Sequence, residues 1–72
     1  MQKIDMHGIR HEKVADVLAK ACSSYDIPFI VVTGRSILMK SVVADAVAPF
    51  DLYIRDHIKN PGRVVVYEKS ST

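Results

Sequence analysis

Asp5 and His7 lie two residues apart in the segment Ile4-Asp5-Met6-His7-Gly8. On a strand, that spacing puts both side chains on one face, opposite Ile4 and Met6. An aspartate beside a histidine orients the ring and suits it to move a proton near neutral pH. The pair offers two ligands to a metal ion, too few for a structural site. The same alternation fits the wet side of an edge strand, and spacing alone leaves both readings open.

A second group lies at Thr33-Gly34-Arg35-Ser36. It opens a helix, where unpaired backbone N–H groups and the helix dipole favour an anion such as phosphate. Arg35 adds a bidentate donor, and Lys40 adds charge one turn later. An ordinary helix cap with a surface arginine gives the same pattern. Further on, Arg55, His57, Lys59 and Arg63 gather around Asp56, with Tyr53 just before them. Such a cluster can follow a sugar-phosphate backbone. A solvated hairpin explains it equally well. His11 has no obvious partner and reads as surface.

These residues need elements to hold them. Lys3 to His7 alternates with period two, the pattern of a half-buried strand ended by Gly8. From Glu12 to about Tyr25 the period changes. Val14, Val17, Leu18, Ala21 and Tyr25 share one face of a helix. Phe29-Ile30-Val31-Val32 is a continuous apolar run and reads as a strand buried on both faces. Ser36 is a good N-cap for a second helix, whose apolar face is Met39, Val42, Val43, Ala46 and Val47. Pro49 stops that helix. Asp51–Arg55 reads as a short strand, 56–61 as a polar loop, and Arg63–Tyr67 as the last strand.

The order is therefore β-α-β-α-β-β. It implies an α/β (α+β) two-layer sandwich, with two helices on one face of a four-stranded mixed sheet. If the first two strands are parallel, Asp5-Met6-His7-Gly8 and Thr33-Gly34-Arg35-Ser36 share one sheet edge. Ligands gather at that edge in open α/β sheets.

The chain has 72 residues, enough for one domain. A domain this small buries only about 60% of the surface of its unfolded chain. We expect the domain over 1–69, with 70–72 as a frayed tail. The net charge of +2 does not by itself indicate a nucleic-acid partner. The single cysteine, Cys22, reads as a small buried hydrophobe. The opening residues are too polar for a secretion signal, and no apolar run is long enough to span a membrane. The expected location is the cytoplasm.

Ile4-Asp5-Met6-His7-Gly8 resembles the "LDLHG" signature that opens Smr (small MutS-related) domains. Val31-Val32-Thr33-Gly34-Arg35 is similar to their second signature, a strand ending in H-G-x-G or T-G-x-G. Asn60-Pro61-Gly62-Arg63-Val64-Val65-Val66 resembles the family's glycine before a last apolar strand. The likeness covers about residues 3 to 68. It implies the sandwich read above, similar to the C-terminal domain of bacterial translation initiation factor three. It implies nucleic-acid binding, often with endonuclease or nicking activity on RNA or DNA. Asp5 and His7 match the residues tied to cleavage. Thr33, Gly34 and Arg35 match the turn that meets the phosphate backbone. Ser36 stands where the family usually has a second glycine.

Three readings follow. The first is a small Smr-like nuclease with Asp5 and His7 catalytic, compatible with a divalent metal such as Mg²⁺ beside Asp5. The second is a non-catalytic nucleic-acid or ribosome-binding module. It uses Thr33, Gly34, Arg35, Ser36, Lys40, Arg55, Lys59 and Arg63. The third is a protein-interaction or inhibitor domain, docking on a protein partner or a second copy of itself.

Overall fold

The computed structural model describes residues 2–68. The expected tail at 70–72 lies outside the described residues. The element order is β1 (Lys3–Asp5), α1 (His11–Ser24), β2 (Phe29–Val32), α2 (Ile37–Val47), a 3₁₀ turn (Ala48–Phe50), β3 (Leu52–His57) and β4 (Asn60–Glu68). This is the α+β order β-α-β-α-β-β expected from the patterning. The sheet order is β1-β2-β4-β3. β1 and β2 are parallel, and both β2–β4 and β3–β4 are antiparallel.

The two helices pack against each other over one face of the sheet. Alternation along each element decides what they cover. Phe29 and Val31 of β2, with Val64 and Val66 of β4, point under the helices and are fully buried. Met6, Val14, Leu18, Val43 and Val47 close the layer from above and from the sheet edge. Burying each such side chain contributes roughly 1.5–3 kcal/mol. Met39 joins them, while Val17, Tyr25, Val42 and Ala46 are half-buried at its margin.

Three expectations need correction. First, β2 is not buried on both faces. Ile30 and Val32, on the side away from the helices, are only half-buried. Both helices sit on one side, so apolar residues on the other face are covered only by their neighbours. Second, β1 ends at Asp5 rather than His7. The ladder continues through the Met6 N–H to the Val32 carbonyl at 2.8 Å, and the chain then turns. Gly8, at φ +86°, takes up that turn. Third, the polar loop at 56–61 is mostly strand. β3 runs on to His57, β4 starts at Asn60, and a tight turn at Ile58–Lys59 joins them.

Side chains stand in for missing ladder bonds around that turn. His57 Nδ1 accepts from the Lys59 N–H at 3.2 Å, and Asn60 Oδ1 accepts from the Gly62 N–H at 3.0 Å. The register slips between Asp56 and His57: Asp56 faces Val64, whereas His57 faces Asn60. Pro61, which has no N–H to donate, sits inside that slip. Polar composition suggests a loop, but side-chain caps and an irregular register let the same residues pair.

Candidate functional site

The parallel pairing of β1 and β2 sets Asp5 beside Val32, so the two strand ends share one edge. His7 is drawn back onto Asp5. Its backbone N–H donates to Asp5 Oδ1 at 3.0 Å, and its ring Nδ1 lies 2.5 Å from the same oxygen. The dyad thus forms through a local side-chain turn rather than through strand alternation. The hydrogen bond to His7 holds the Asp5 carboxyl below the usual carboxylate range. An ionised carboxylate only accepts, so Nδ1 is the donor, and the tautomer this selects leaves the lone pair on Nε2. The His7 side chain is 68% exposed, open to a substrate.

The second turn is built from inside. Thr33 is 3% exposed. Its hydroxyl donates to the Gly34 carbonyl at 2.7 Å, with the Gly62 carbonyl at 3.3 Å. The Gly62 carbonyl also accepts from the N–H groups of Thr33 and Gly34, both at 2.9 Å. Thr33 therefore shapes the turn from beneath, and the Gly34 amide is already occupied. Gly34 sits at φ +68°, where a side chain is strained. A Cβ placed there would lie 4.0 Å from the His7 Cβ. The turn of the second motif therefore lies close to His7 of the first.

Ser36 caps α2 as expected, its hydroxyl accepting from the Met39 N–H at 3.0 Å. Its backbone is ordinary and extended, at φ −70°. Serine in place of glycine therefore costs no strain here. The next N–H groups, at Ile37 and Leu38, have no acceptor within the helix, and exposed Arg35 directly precedes the Ser36 cap. Lys40 is differently placed. Its Nζ donates to the Pro61 carbonyl at 2.8 Å and to Asp56 Oδ1 at 3.2 Å. It ties α2 to the hairpin, and Asp56 offsets its charge.

The basic residues of the hairpin divide by face. Arg63 pairs with Val32, so Asp5, Val32 and Arg63 form one row on the sheet face away from the helices. The next row is Lys3, Ile30, Val65 and Arg55. Beyond it, Tyr67 and Tyr53 stand opposite each other. Lys59 lies at the hairpin tip, beside a shallow hollow of about 330 Å³ floored by Pro28, Ile30 and Val65. Sequence reasoning overlooks Tyr67, because only the strand register places it beside Tyr53 and Arg55. It makes no use of the Gly62 carbonyl, which joins the two turns.

Among the described residues, no three His, Cys, Asp or Glu side chains group to hold a metal ion. Asp5 Oδ1 is also engaged twice by His7. This donor set does not fit a protein-built metal cage. Among the described residues, no helix is long and apolar enough to cross a membrane. Comparison with protein-family models, curated proteins and solved structures returned no match.

Proposed function

We propose that this chain is a Smr-like domain that cleaves phosphodiesters of RNA or DNA, as an endonuclease or nicking activity in the cytoplasm. The observation that carries this reading is the Asp5–His7 dyad, set against the Gly34 turn at one sheet edge. His7 Nε2 takes the proton of the attacking oxygen, from water or from an RNA 2′-hydroxyl. The new P–O bond forms, the P–O bond to the leaving sugar oxygen breaks, and that oxygen takes a proton from the imidazolium. Arg35 and the first amides of α2 stabilise the charge that gathers on the phosphate. Asp5 holds the ring in the required tautomer throughout.

The test is incubation of labelled single- and double-stranded RNA and DNA with the wild type and with His7→Ala. Cleavage that disappears in the variant supports the reading. Tight binding without cleavage replaces it with a binding module. Neither binding nor cleavage leaves a protein-interaction domain.

A further inference from the structure

We propose that the open face of the sheet is a stacking platform for single-stranded nucleic acid, with bases on Tyr53 and Tyr67 and phosphates on Arg55, Arg63 and Lys3. This rests on the nuclease reading and names the form of its substrate.

The face has the two components that single-strand binding needs, aromatic planes and a basic track. Tyr53 and Tyr67 lie opposite each other on β3 and β4, their ring centroids 6.0 Å apart and their planes tilted by 36°. Tyr53 is 40% exposed. The Arg55 guanidinium stands over the Tyr67 ring, 5.5 Å from its centre, so a cation already stacks on Tyr67 and Tyr53 is the more open plane. The hollow of about 330 Å³ over Ile30 and Val65 adjoins this group and has the size of a small ligand site.

Charge selects the partner. The strand residues directed to this face include Lys3, Arg55 and Arg63. Asp5 is the acid among them, its carboxylate bound to His7, and Asp56, which lines the adjoining hollow, is bound to Lys40. The chain as a whole is nearly balanced, at +2, and these three strand cations against one carboxylate give the face a local positive excess. The most exposed aliphatic residues of α2, Ile37 and Leu38, belong to the other layer. From the tyrosine row to the Asp5 row the sheet rises four residues, roughly 13 Å. A short oligonucleotide lying along the face from Tyr67 past Arg63 arrives at His7. Paired bases in a duplex do not offer their faces to such a platform.

Fluorescence anisotropy tests this, using labelled oligo(U), oligo(dT) and a duplex of matched length. His7→Ala serves as the background, so that no probe is consumed. Single strands are expected to bind more tightly than duplex. Tyr53→Ala is expected to weaken single-strand binding roughly 5- to 150-fold. Tyr53→Phe, which keeps the ring, should restore it. Arg55→Gln should flatten the salt dependence by about one phosphate contact. Both sites are exposed, and circular dichroism checks that the variants stay folded. Equal binding by wild type and Tyr53→Ala overturns the proposal, as does duplex binding as tight as single-strand binding, or no binding at all. Failure of the wild type to cleave while single strands still bind through Tyr53 removes the dyad reading alone. Cleavage that needs His7 but is indifferent to Tyr53 removes the platform alone.

Discussion

Asp5 holds His7 at two points, the backbone N–H at 3.0 Å and the ring Nδ1 at 2.5 Å, both on Oδ1. The ring is oriented by its own chain within a single turn, so the geometry does not depend on a distant element.

Replacing the aspartate separates orientation from charge. Asp5→Asn keeps an acceptor for the backbone N–H but lets the ring adopt the other tautomer. Cleavage should fall, though less than in His7→Ala, while affinity for nucleic acid changes little. Parallel turnover and binding measurements check this.

The same contact sets a pH dependence of stability. The folded Asp5 carboxyl titrates below its usual range because His7 hydrogen-bonds it. A depressed folded value means a contribution that is complete above the unfolded value and lost as the pH falls through the folded one. The melting-temperature gap between wild type and Asp5→Asn should therefore be present at neutral pH and close under acid conditions. It should be small, since the pair is exposed.

Gly34 is required by its backbone rather than by space. Its φ is +68°, and an added Cβ would meet nothing nearer than the His7 Cβ at 4.0 Å. Gly34→Ala should therefore cost about 1–2 kcal/mol in urea unfolding, the penalty of a left-handed backbone for a residue with a side chain. At 4.0 Å the added Cβ makes only ordinary contact with His7, which Asp5 holds, so turnover should fall no further than the stability loss explains.

Ser36→Ala removes the cap on α2 and should cost about 0.5–2 kcal/mol, whereas Ser36→Gly should cost only a few tenths. Chemical denaturation of the two variants checks this order.

The strand and helix faces are legible in the sequence because burial imposes a period. Phe29–Val32 has the bounds its composition indicates, though only Phe29 and Val31 are fully buried, and the Met39, Val43, Val47 stripe is buried as its spacing indicates. The dyad residues are legible too, but the reason for their contact is not. Strand alternation suggests it, whereas a local turn makes it. The hairpin is misjudged because His57 and Asn60 satisfy backbone groups with side chains, which composition does not reveal. Lys40 resembles a phosphate ligand from its place one turn into α2. Its bond to the Pro61 carbonyl depends on where the hairpin folds back, which no local pattern contains. Tyr67 is hidden for the same reason, since its partner lies on another strand.

The central claim is that His7 moves the proton in phosphodiester cleavage. The most direct measurement is the cleavage rate of labelled RNA and DNA by wild type and by His7→Ala under saturating protein. A loss of about 10²–10⁴-fold in the variant, with affinity preserved, is the predicted result. Equal rates in the two proteins would contradict it.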